Sequence, residues 1–236
     1  MRTTLKRMSA PKTWPIGRKS STFVLRPSPG PHSREKSIPL GLAVKEFLKL
    51  GDTGREVRRI IGQKFIYVDG KPCRDFKRPV GIMDVISIPS HSQSWRVLLD
   101  TRNKIRLVPI QESQAKWKLV RIENKRTIRG GKFQLNLHDG RNIVIDKNMY
   151  KCGDVLKISL PDQKILEVYP FEKGNVALIV GGHHTGELAT INVVSVTREV
   201  AANKVSFVEG HSTTRKNVFV VGKAKPEITL PEVRIA

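Results

Sequence analysis

PLGLAVKEFLKLGDTGREVRRIIGQKFIYVDGKPCR, residues 39–74, carries two helical periods followed by a hairpin signal. Leu40, Ala43, Val44, Phe47 and Leu48 recur at helical spacing and Gly51 closes the segment, which predicts one amphipathic helix of about three turns. A second helix follows at once, because Thr53 and Glu56 have the spacing of a capping box, in which each side chain accepts from the other residue's amide. At about 100° per residue, Val57, Ile60 and Ile61 point one way and Arg55, Arg58 and Arg59 the other. Next, Phe65 to Val68, Asp69-Gly70 and Lys71 to Arg74 read as strand, type I′ turn and returning strand, and Val85 to Ile88 as a further strand. Residues 38–90 are thus expected to form a helix-turn-helix unit with a small sheet. A row of arginines on an arbitrary helix is usually a solvated face; the charge of the rest of the chain gives this one a partner.

Toward the N-terminus, residues 1–37 hold nine Lys or Arg against the single acid Glu35, with interspersed prolines and no apolar period. Such a segment is expected to be a basic extended arm, ordered by a polyanion. Pro11, Pro15, Pro27, Pro29 and Pro31 limit the entropy lost on ordering. Trp14 and His32 are free to stack on an unpaired base, Trp14 alternatively to pack on the protein itself.

Toward the C-terminus the pattern changes to alternation. RVLLD, KIRLVPI, KLVRI, KFQLNL, RNIVID, DVLKISL and ILEVYPF, divided by TRN, RGG, HDG and PDQ, predict a central antiparallel β domain over residues 91–170. Sixteen basic residues against eight acids there, many on strands whose other face is apolar, imply one basic face. From Phe171, EKGNVALIVGGHHTGELATI enters through Lys173-Gly174, alternates at Val176, Leu178 and Val180, and reaches a loop with Gly181, Gly182 and Gly186. With INVVSVTREV and KVSFVEG it predicts a short β-barrel over 171–215, its loop presenting His183 and His184 to a ligand. Residues 216–236 read as a last strand and an extended tail. The expected class is α+β and multidomain.

Composition narrows the function. The chain of 236 residues carries a formal net charge of +22 and a pI near 10.4, which points to nucleic acid as partner. No apolar run approaches the ~20 residues that span a bilayer, and no hydrophobic stretch follows the early cations as in a signal peptide. Cys73 and Cys152 match neither a zinc knuckle nor a redox pair and read as reduced thiols in a cytosolic protein. No phosphate-binding loop, nucleophile elbow or dinucleotide fingerprint appears. Neighbouring His183 and His184 lack metal-site spacing, since adjacent strand residues point apart. No catalytic residue, cofactor, metal or small-molecule substrate is expected.

LKRMSAPKTW and RPSPGPHSRE in the arm, KFIYVDGK, GIMDVISI, and TGELATI after GNVALIVGGHH occur in an order that resembles the archaeal and eukaryotic small-subunit ribosomal proteins of the S4e family, over essentially the whole chain. The second segment resembles the alpha-L RNA-binding motif, also seen in pseudouridine synthases and some tRNA synthetases, and Phe171 to Ile191 resembles the KOW motif of an SH3-type barrel. Two departures stand out: Glu187 occupies a position often basic in the family, which argues against phosphate contact there, and the chain ends at Ala236 without the long basic tail of eukaryotic members, which suggests an archaeal source. The resemblance implies a structural constituent of the small subunit, cytoplasmic and ribosome-bound, with small-subunit ribosomal RNA and neighbouring ribosomal proteins as partners. The residues expected on RNA are Lys6, Arg7, Lys12, Trp14, Arg18, Lys19, Arg26, His32 and Arg34 in the arm, Lys45, Lys49, Arg55, Arg58, Arg59 and Lys64 in the helical unit, and Lys173, His183 and His184 in the barrel. A freestanding KOW-containing regulator of transcription or translation is the alternative; an RNA-modifying enzyme lacks the larger α/β domain it would need.

Overall fold

The computed structural model describes residues 4–196 and 203–230. Two compact units emerge. The first comprises residues 1–98 and 104–118, the second residues 99–103 and 119–236.

In the first unit the arm is folded onto its own domain. Strand β1 (Thr4–Lys6) pairs antiparallel with β2 (Phe23–Leu25). Arg7 is buried and holds the intervening loop: its guanidinium donates to the Gly17 carbonyl and, at 2.8 Å, to Ser21 Oγ. Trp14, 2% exposed, donates its indole N–H to the Ser37 carbonyl. The expectation of an extended arm awaiting a polyanion is corrected on this point, because Ala10, Trp14 and Val24 bury apolar surface that needs no period to reach a core.

The chain continues through β3 (Ser37–Pro39), α1 (Leu40–Glu46) and α2 (Gly54–Gly62). Helix α1 stops earlier than its apolar spacing suggests: Lys49, not Gly51, takes the left-handed conformation, at φ 51°. Its face Leu40 to Val44 is buried throughout. In α2 the capping box is present, with the Glu56 amide donating to Thr53 Oγ1 at 3.3 Å and the Thr53 amide to Glu56 Oε2 at 3.2 Å. Val57 and Ile61 are fully buried, each contributing about 1.5–3 kcal/mol.

Strands β4 (Tyr67–Val68) and β5 (Lys71–Pro72) form the expected hairpin, with Asp69 and Gly70 at φ 53° and 73° as a type I′ turn requires. After β6 (Pro79–Gly81), which pairs with β3, come β7 (Val85–Ile88), β8 (Gln93–Leu99) and β9 (Ile105–Ile110). The sheet order is β5-β4-β7-β8-β9. It runs straight across residues 90 and 91, where the sequence places a domain boundary, because β7 and β8 pair from Val85↔Arg96 to Ile88↔Gln93. A short helix α3 (Glu112–Ala115) follows.

Strand β10 (Trp117–Thr127) leads into the second unit, with β11 (Phe133–Leu137), β12 (Asn142–Ile145), β13 (Val155–Ser159) and β14 (Ile165–Tyr169) in the order β12-β11-β10-β13-β14. Val120, Ile122, Leu135, Leu137, Leu156 and Ile158 form its core. A second five-stranded sheet combines β15 (Val176–Ile179), β16 (Leu188–Ser195), β17 (Lys204–Phe207), β18 (Ser212–Thr214) and β19 (Val218–Gly222) in the order β18-β17-β16-β15-β19. The strand read as part of the tail is therefore integral, pairing Ile179 with Val218.

Candidate nucleic-acid interface

The basic stripe on α2 is where the helical period puts it. Arg55, Arg58 and Arg59 are exposed on the side opposite Val57 and Ile61. The Arg58 guanidinium carbon lies 5.3 Å from the Phe76 ring centre, so the ring supports the cation without neutralising it. Lys64 is exposed just past the helix at φ 63°, Lys49 is exposed past α1, and Lys45 is half-buried at the end of α1. A row of guanidinium groups on a helix whose other face is fixed can engage several phosphates with little ordering cost.

In the folded arm, Lys6, Lys12, Arg18, Lys19, Arg26 and Arg34 are exposed. Arg26, Arg34 and Lys77 border an open cleft of about 610 Å³ lined also by Pro29 and Pro31. Three arm residues expected on RNA have other work. Arg7 braces the loop, and Trp14 lies in the core with its only donor satisfied, so neither offers a surface for stacking or phosphate contact. His32 is also turned inward, its side chain 5% exposed and Nε2 2.8 Å from Asp84 Oδ2.

That contact belongs to a buried ionic cluster. Lys118, fully buried, places Nζ 2.8 Å from Asp69 Oδ2 and 3.1 Å from Asp84 Oδ1, and the Gly81 amide donates to Asp84 Oδ2 at 2.9 Å. Burial alone would raise the Asp84 pKa, but Lys118, His32 and the Gly81 amide outweigh it and hold the carboxyl well below the usual carboxylate range. Arg96 is 1% exposed, donates to the carbonyls of Gln114 and Trp117 at 2.9 and 3.0 Å, and lies 4.4 Å over the Trp117 ring; burial lowers its pKa to about 10. In the second unit Arg121 donates to the carbonyls of Lys216 and Val218 at 2.9 and 2.8 Å. Arg96, Lys118 and Arg121 thus depart from the expected basic outer face of the 91–170 strands. Strand β10 is buried without a break from Lys118 to Ile122, so both of its faces are covered there.

In the second unit Lys173 is exposed beside Gly174, at φ 89°. His183 is exposed, whereas His184 is half-buried, with Nδ1 3.0 Å from Glu187 Oε2 and its ring stacked on that of His211 at 4.3 Å between centres. Sequence spacing gave no hint of His211, which comes from the turn between β17 and β18.

Comparison with known proteins gives these surfaces a context. The profile of ribosomal family S4e matches residues 91–165, and that of the RS4NT domain matches residues 1–35. The chain is 46% identical over 231 residues to small ribosomal subunit protein eS4 of Methanothermobacter thermautotrophicus, covering 96% of this chain and 95% of that protein. It is 45% identical to the protein of the same name from Archaeoglobus fulgidus, covering 95% and 97%. The crystal structure of the 30S ribosomal protein S4e from Thermoplasma acidophilum superposes with a TM-score of 0.71 at 36% identity, covering 80% of this chain and 96% of that one. With similarity sustained over nearly its full length, and not over one module alone, the chain belongs to ribosomal family S4e.

Proposed function

We propose that this protein is a structural, non-catalytic constituent of the small ribosomal subunit that binds and organises small-subunit ribosomal RNA in the cytoplasm and abuts neighbouring ribosomal proteins. The observation that carries the proposal is the end-to-end similarity to proteins named as small ribosomal subunit protein eS4. The exposed cations support the same reading: they neutralise phosphates and release counterions, while the folded units set where the RNA strands lie.

Within that role, residues 38–90 act as an alpha-L-like RNA-binding unit through Arg55, Arg58, Arg59 and Lys64, with Lys45 and Lys49 in support. The arm contributes Lys6, Lys12, Arg18, Lys19, Arg26 and Arg34. Residues 171–215, completed by β19, form a KOW-like SH3-type barrel whose Lys173 faces RNA. Glu187, paired with His184, disfavours a phosphate at that end of the loop.

The test is sedimentation of the tagged chain from lysate of its source cells through a high-salt gradient, with small-subunit RNA assayed in each fraction. Cosedimentation at one copy per small subunit is expected. A free pool, or migration with polymerase or messenger RNA, would replace this reading with that of a freestanding regulator.

A further inference from the structure

We propose that His184, Glu187 and His211 form a binding site for a divalent transition ion of the zinc class, independent of the RNA-binding role. One ligand atom from each of the three lies within 4.8 Å of the others. His184 Nδ1 and Glu187 Oε2 are already 3.0 Å apart, close to the roughly 3.3 Å that separates two ligands about 2 Å from a tetrahedral zinc ion. Two imidazoles and one carboxylate suit zinc better than magnesium or calcium, which prefer all-oxygen shells.

The fold delivers these groups from two turns. His184 and Glu187 lie in the loop between β15 and β16, where the Gly186 amide donates to the Ile179 carbonyl at 2.8 Å and the Glu187 amide to the His184 carbonyl at 3.3 Å. At Gly186, φ is 87°, and a Cβ would lie 2.6 Å from the Asp100 carbonyl carbon, so only glycine lets the loop sit this close. His211 closes the β17–β18 hairpin, its carbonyl accepting from the Phe207 amide at 3.0 Å. Its ring is held between Phe207, 5.2 Å away, and His184.

A second observation points to a ligand. His211 Nε2 is buried and has no hydrogen-bond partner among the described residues. A buried ring nitrogen left in this way is costly unless something engages it. The stacked rings are only 20° from parallel, so a shared ion requires one to turn about its Cβ–Cγ bond, a broad torsion for histidine. The side chains of His184 and Glu187 are 40% and 45% exposed, which gives an ion access and leaves a fourth position open to water. Bound there, the ion ties the Gly-rich loop to the neighbouring hairpin.

The experiment is calorimetric titration of the full, tag-free, chelator-treated chain with Zn²⁺. One equivalent is expected to bind, with affinity falling about tenfold or more in His184→Gln, Glu187→Gln and His211→Gln and holding in His183→Gln. Zn²⁺ should also shift the imidazole proton resonances of His184 and His211 in the unsubstituted chain and leave those of His32, His91 and His138 in place, a readout that needs no variant to fold. Absence of binding, binding that survives His211→Gln, or resonance shifts confined to other histidines would overturn the proposal.

Discussion

The helix pair and the arm are both basic, yet their cations divide the work differently. On α2 the 3.6-residue period separates the jobs: Val57 and Ile61 are buried while Arg55, Arg58 and Arg59 face solvent. In the arm no period exists, and neighbours in sequence part company. Lys6 is exposed and Arg7 is buried; Lys12 is exposed and Trp14 is core. Net charge therefore identifies a partner for a segment but does not say which cations meet it. Only a contact made in three dimensions decides that.

The largest effect is expected at Lys118, a cation on a strand expected to be basic on its outer face. Lys118→Ala leaves Asp69 and Asp84 buried without their ammonium partner and should cost about 3–5 kcal/mol in urea denaturation. A cost below about 1 kcal/mol would return Lys118 to the solvated class. Next is Trp14→Ala, expected to lose about 3 kcal/mol because a buried indole and its bond to the Ser37 carbonyl go together. If Trp14 were a base-stacking residue, RNA affinity would fall instead and stability would hold.

What could be read in the chain and what could not follows from range. Thr53 with Glu56, and Asp69 with Gly70, are local signals whose physics closes within a few residues, and the capping box and I′ turn are both present. The alternating strands were also legible, since a half-buried strand writes its period into the sequence. Their grouping was not, because β8 pairs with β7 through a register that neither strand encodes alone. The buried cluster joins Lys118 to residues 49 and 34 positions away, and His32 to Asp84 across 52. His211 carries no local signal for the same reason: its neighbours His184 and Glu187 arrive from another turn.

A smaller effect concerns acid. The Asp84 pKa is held below the ordinary aspartate value, so its ionised form stabilises the fold fully above that range, and this contribution is lost as pH falls further. Thermal melts from pH 5 to pH 2 should show a decline that is shallower in Asp84→Asn, whose stability is already reduced at neutral pH. An equal slope in both would place the acid sensitivity elsewhere. The smallest change is Thr53→Ala, which removes the acceptor for the Glu56 amide and should cost about 1 kcal/mol.

If cations on a periodic face serve RNA while those without one are divided between RNA and the fold, the salt dependence of RNA binding will show it. Binding of a small-subunit ribosomal RNA fragment would be measured against salt concentration for the parent chain and for the triple variant Arg55→Ala, Arg58→Ala, Arg59→Ala. The slope of log K against log salt is expected to become shallower by about 2, from the loss of three phosphate contacts, while stability changes by less than about 1 kcal/mol. An unchanged slope, or a slope that changes only because the variant has unfolded, would contradict it.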